Sequence, residues 1–124
     1  MNTRNTEEPV KVVNGLYLSP ISAKSIDILE DEYGATIERR HDPSGFCYRI
    51  HFKDKPYGAS VIKSYYSYGG SRDQFELAVL DSNDDLCYTT QITEDVIGFL
   101  EEEDLIAMLR LIFRLDKDGK ISQN

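Results

Sequence analysis

Two stretches of the chain space oxygen donors at alternate positions, as calcium loops do. In the first, Asp81, Asn83 and Asp85 alternate, but Leu86 stands where the loop needs a Gly and Ile92 where it needs a bidentate Glu. In the second, Asp116, Asp118, Gly119 and Ile121 match the core of the pattern, but Arg114 fills the first ligand position and the sequence ends before the twelfth. Coordination by six or more oxygens needs those missing carboxylates. A hairpin turn and a helix-ending tail are the expected readings, with no metal and no other cofactor.

The remaining reactive residues lack partners at useful spacing. His41 and His51 flank a predicted hairpin. A four-residue turn would set His51 opposite Thr36, roughly 16 Å from His41 and on the other face of the strand pair. Cys47 and Cys87 occur as Phe-Cys-Tyr and Leu-Cys-Tyr with no CxxC partner, which argues against redox or zinc chemistry. Gly69-Gly70-Ser71 lacks the strand-to-helix setting of a nucleophile elbow and a following His. Neither GxGxxG nor a GK[ST] run occurs, so no phosphate loop is expected. Glu101, Glu102, Glu103 and Asp104 resemble paired catalytic carboxylates, but at a helix start they complement the helix dipole. The expectation is a non-enzyme.

Two features point instead to a partner. Tyr65, Tyr66 and Tyr68 crowd one stretch of a chain with no Trp. Adjacent strand residues face opposite sides, so at least one of Tyr65 and Tyr66 leaves the core. Tyr beside Arg and Lys is the composition of a protein-binding patch. Arg40, Arg49 and Lys53 supply that charge, as a positive strip on one face of the hairpin. The second feature is polarity along the chain. Seven basic residues lie between Arg39 and Arg72 against Asp42 and Asp54, whereas the span from Asp73 to Leu109 holds eleven acids and no base. Asp84, Asp85, Glu94, Asp95 and the four acids from Glu101 to Asp104 form a candidate acidic surface. With a net charge of −8, duplex binding through phosphate neutralisation is disfavoured.

The elements that must position these residues read as α+β. At 124 residues the chain is one domain, here 10–115, with a polar flexible tail at 1–9 and another at 116–124. No signal peptide precedes it, no apolar run approaches a membrane span, and two cysteines build no disulfide framework, so the cytoplasm is expected. Val10 to Leu18 holds Asn14-Gly15 and reads as a short hairpin or a strand with a turn. Ser22 to Asp31 fits a strand by alternation, although Ser25 also suits a helical cap; the strand is preferred. Ala35 to His41 and Phe46 to Lys53 flank Asp42-Pro43-Ser44-Gly45, with Phe46, Tyr48, Ile50 and Phe52 on the core face. Ala59 to Tyr68, Gln74 to Asp81 and Leu86 to Thr89 continue an antiparallel β-meander of about five strands. Thr93 then caps a helical turn that Gly98 limits, and the main C-terminal α-helix runs from about Glu101 to Leu115, packed on the sheet. That helix is more apolar than one sheet face needs. The sheet curls around it, another segment covers it, or a second copy docks on Met108, Leu111 and Leu115 to make a homodimer.

Ser67-Tyr68-Gly69-Gly70, Phe75 to Leu80, Leu86-Cys87-Tyr88 and the run Ile92-Thr93-x-Asp95-Val96-Ile97-Gly98-x-Leu100 resemble a family of small uncharacterised proteins encoded by tailed bacteriophages and prophages. The resemblance spans roughly the C-terminal half. It departs at Gln91, where the family has Pro, and at Glu101, where the family has a Thr cap. What it implies is a phage setting in a host cytoplasm, with no activity and no catalytic residues to carry over. The expected function is therefore that of a non-enzymatic accessory protein binding a host or phage protein. An acidic inhibitor that imitates nucleic acid, directed at a host nuclease or defence complex, is the alternative, and a virion or assembly component is the third.

Overall fold

A computed structural model describes residues 10–122; the expected N-terminal tail lies outside the described residues. Strands β1 (Lys11–Val13) and β2 (Leu16–Leu18) form a hairpin through Asn14 and Gly15, both at positive φ (50° and 80°). This pair of left-handed residues gives the turn the twist its strands require. Helix α1 (Ala23–Tyr33) follows, then β3 (Ala35–Arg40), β4 (Gly45–Phe52), β5 (Gly58–Ser64), β6 (Phe75–Leu80), β7 (Ile97–Leu100) and helix α2 (Glu102–Phe113). The five strands β3 to β7 make one antiparallel sheet in sequence order, a meander with the C-terminal helix packed on it. The fold is α+β.

The β3–β4 hairpin has the register its turn chemistry dictates, with Thr36 opposite His51 and Arg40 opposite Cys47. Phe46, Tyr48, Ile50 and Phe52 face the core, as alternation predicts. Four other segments differ from the sequence reading. Ser22 to Asp31 is helical rather than extended: the Ser22 hydroxyl accepts the Ser25 N–H, and Gly34 closes the far end at φ 66° with its N–H on the Leu29 carbonyl. A side-chain cap and a left-handed glycine that bracket eleven residues outweigh a short alternating pattern. Strand β5 ends at Ser64, so Tyr65, Tyr66 and Tyr68 lie in a loop. The Ser67 hydroxyl accepts the Ser64 N–H and donates to the Ser64 carbonyl, so a side chain satisfies backbone groups that a continuing strand would use. Leu86 to Thr89 contributes only a bridge between Leu86 and Leu80; the fifth strand is Ile97–Leu100. Thr93 starts no helix, because its hydroxyl accepts the Asp95 N–H in a tight local turn.

The core sits on one face of the sheet, where Val61, Leu77 and Val79 meet Leu105, Leu109 and Ile112 of α2 and Leu29 of α1. The apolar excess of α2 is covered from within the chain. Its Phe113 ring stands edge-on to Tyr33 of α1 at 5.1 Å and to Phe52 of β4 at 5.4 Å. Residues 116–122, read from sequence as a tail, fold back through a turn closed by a Leu115–Ile121 bridge and by the Asp116 N–H on the Lys120 carbonyl.

Candidate functional site

The edge strand β7 carries a β-bulge. Phe75 pairs with Leu100 and Leu77 with Ile97, so two steps along β6 face three along β7. The extra residue is taken up at Phe99, whose backbone is left-handed at φ 59°. A bulge of this kind turns a side chain out of the alternating pattern. The Phe99 N–H donates to the Tyr68 carbonyl, and the two rings lie 6.5 Å apart. Glycines allow this approach. A Cβ on Gly98 would come within 2.4 Å of Tyr68 Cβ, and one on Gly69 within 2.9 Å of the Phe99 backbone. Tyr66, Tyr68 and Phe99 are 80%, 60% and 56% exposed, with Tyr65 edge-on to Tyr66 at 5.0 Å. These two aromatic pairs, carried by the 65–68 loop and β7, are the aromatic ridge, and the Tyr65 N–H ties the loop to the β3–β4 turn through the Ser44 carbonyl.

The positive strip lies on the open face of the same sheet, and it is not bare. Asp84 reaches across from the β6–β7 connection, its carboxylate 2.7 Å from His51 Nε2, 3.2 Å from Arg49 Nη1 and 3.5 Å from Arg40 Nη2. Arg49 Nη1 also donates to the Asp84 carbonyl. The hydrogen bond from His51 and the neighbouring Arg49 guanidinium hold the Asp84 carboxyl below its ordinary value. Thr36, Glu38, Arg40, Arg49, His51 and Asp84 line a shallow cavity of about 250 Å³. Lys53, the third member expected of this strip, is exposed at the far end of β4, roughly 27 Å of strand from the tyrosine loop. The structure therefore does not bring all six candidate partner residues together.

Much of the candidate acidic surface is engaged internally. Besides Asp84, Glu102 accepts hydrogen bonds from the Ser22 N–H and from both Ser22 and Ser25 hydroxyls, tying α2 to the start of α1. Glu101 and Asp104 cap α2 reciprocally, and Asp95 accepts the Val96 N–H. Among the described residues, the side chains of Asp85, Glu94 and Glu103 have neither a hydrogen bond nor an ion pair. Leu115, two residues beyond α2, belongs to the core at 2% exposure, and Met108 and Leu111 of α2 are half-buried.

The two calcium-like stretches are one turn used twice. Asp81 Oδ1 accepts the N–H groups of Asn83 and Asp85, and Asp116 Oδ1 accepts those of Asp118 and Lys120. The fourth residue of each is left-handed: Asp84 at φ 66° and Gly119 at φ 76°.

Phe99 was not among the sequence candidates, because Ile92 to Gly98 read as the approach to a helix. Its signal was the apolar Ile97-Gly98-Phe99-Leu100 run, too short to separate from a helix entry by periodicity. Lys63 was missed as a buried group, although it alternates in phase with Ala59 and Val61. Its ammonium lies 3.0 Å from Asp73, 2.8 Å from the Ser19 carbonyl and 3.8 Å from the Phe75 ring centre. Among the described residues, no helix is long and apolar enough to cross a membrane. Comparison of the chain with protein-family models, with curated proteins and with solved structures finds no match in any of the three.

Proposed function

We propose that this chain is a non-enzymatic accessory protein of a phage, binding a host or phage protein through the aromatic ridge of Tyr66, Tyr68 and Phe99. The observation that carries the reading is the bulge at Phe99. A bulky residue in the left-handed region costs about 1–2 kcal/mol, and that cost here goes with a ring exposed to solvent beside two exposed tyrosines. Large rigid aromatics in one patch are the anchors of protein interfaces. Arg40, at the turn end of β3, supplies the nearest charge of the strip. Nucleic-acid imitation is the weaker reading, because Asp84, Asp95, Glu101, Glu102 and Asp104 are all occupied by contacts within the chain.

The test is capture from the host by a tagged chain, wild type against a Tyr66→Ser/Tyr68→Ser pair. Loss of a specific partner at unchanged thermal unfolding is expected. Equal recovery by both proteins would sink the ridge assignment.

A further inference from the structure

We propose that the cavity lined by Arg40, Arg49 and His51 on the open sheet face is a binding site for a dianionic phosphoryl group, held in this structure by the chain's own Asp84 carboxylate. Three nitrogen donors from two adjacent strands converge there on a single carboxylate. Two guanidinium groups and an imidazole on one point make an oxyanion site. Glu38 also lines the cavity; its carboxylate holds Arg40 Nε at 2.8 Å and leaves Arg40 Nη2 toward Asp84.

Two observations indicate that Asp84 is a stand-in rather than the final occupant. First, its backbone is left-handed, at the position where the equivalent Asp116–Lys120 turn has Gly119. The turn geometry favours glycine, so the aspartate is kept for its side chain at a backbone cost. Second, Arg49 Nε is buried without a hydrogen-bond partner among the described residues, so the carboxylate leaves a donor of this cluster unsatisfied.

Charge then selects the ligand. A free monocarboxylate gains nothing over a tethered one, which competes at the effective concentration its short loop provides. A phosphodiester is also a monoanion, so a nucleic-acid backbone has the same handicap. A phosphomonoester brings close to two charges and three terminal oxygens. It displaces Asp84 where the others do not. The proposal stands apart from the aromatic ridge: Tyr66, Tyr68 and Phe99 take no part in it, and Arg40 is the one residue that both surfaces use.

Asp84→Gly is the informative variant, because glycine suits this backbone and the substitution should not unfold the turn. With inorganic phosphate as the probe and the His51 ring resonances as the readout, affinity should rise by about tenfold or more over wild type once the tethered competitor is gone. Acetate should bind the variant far more weakly than phosphate, and adding Arg49→Gln should abolish the phosphate response. Asp84→Asn, which removes the charge and keeps a side chain that tolerates the left-handed region, should reproduce the gain if the glycine variant is poorly folded. A phosphoserine peptide that binds better than phosphate would identify a phosphorylated side chain as the source, and equal binding a small phosphate ester. A folded Asp84→Gly or Asp84→Asn protein whose His51 resonances ignore phosphate across the millimolar range overturns the site, as does equal binding of acetate.

Discussion

Lys63 enters the apolar side of β5 between the sheet and the β2–α1 connection, and its side chain is only 3% exposed. Burial lowers its pKa, against the opposing pull of Asp73. A base whose folded-state pKa lies below its unfolded value binds fewer protons in the native state. Stability therefore rises as pH climbs from the depressed value toward the ordinary 10.5. Lys63→Met keeps most of the volume and removes this titration. The difference in unfolding free energy, wild type minus Lys63→Met, should grow with pH in that alkaline window; a flat difference in denaturant titrations would show that pairing with Asp73 fully offsets the burial. Phe99 gives the complementary case. Phe99→Gly removes about 1–2 kcal/mol of left-handed strain and adds about 0.5–1 kcal/mol of unfolded-state entropy. Unfolding free energy should hold or rise by up to about 1 kcal/mol while partner capture falls. Both residues show why side-chain roles were only partly legible in sequence. Tyr66 and Tyr68 were visible as candidates because their crowding is local. Phe99 and Asp84 acquire their roles from contacts with Tyr68 and His51, each about thirty residues earlier in the chain, and no local pattern announces those contacts.

At the scale of elements, local chemistry was readable where it was unopposed. Asp42-Pro43-Ser44-Gly45 fixes the β3–β4 register to the residue, and the acid-to-base polarity of α2 marks its ends. Helix α1 was not readable in the same way, because part of what holds its start is not local. Its N-cap Ser22 and the buried Ser25 hydroxyl both lean on the Glu102 carboxylate, some eighty residues later. Burial alone would raise the Glu102 pKa, but the hydrogen bonds from Ser22 and Ser25 outweigh it and hold the carboxyl below its ordinary 4.5. The stabilisation is complete above the unfolded value and disappears as pH falls through the folded one. Glu102→Ala should lower stability by about 1–2 kcal/mol, because hydrogen bonds to a partly solvated carboxylate are lost. Amide exchange should quicken over α1 more than over the far half of the sheet. Uniform acceleration would mean that α1 and the sheet open as one unit.

For the molecule as a whole, the question is where its exposed apolar surface lies. Sequence placed the excess on α2 and left three ways to cover it: a curled sheet, another segment of the chain, or a second copy docked on Met108, Leu111 and Leu115. The fold spends that excess on α1 and the sheet: Leu115 is in the core, and Phe113 is enclosed by Tyr33 and Phe52. Large exposed side chains lie instead at Tyr66, Tyr68 and Phe99, with Val12 and Tyr17 exposed on the β1–β2 hairpin and Leu86 and Tyr88 on the β6–β7 connection. Contiguous apolar patches are where association occurs; scattered exposed residues are not. Sedimentation at micromolar concentration should therefore show a monomer, and Leu111→Arg should leave it unchanged. Any association that appears on concentration should be suppressed by Tyr66→Ser, since the ridge is the surface that self-association would bury. A dimer that survives Tyr66→Ser and dissociates with Leu111→Arg would return the contact to α2, and would mean that covering a helix from within the chain does not exhaust its capacity to bind.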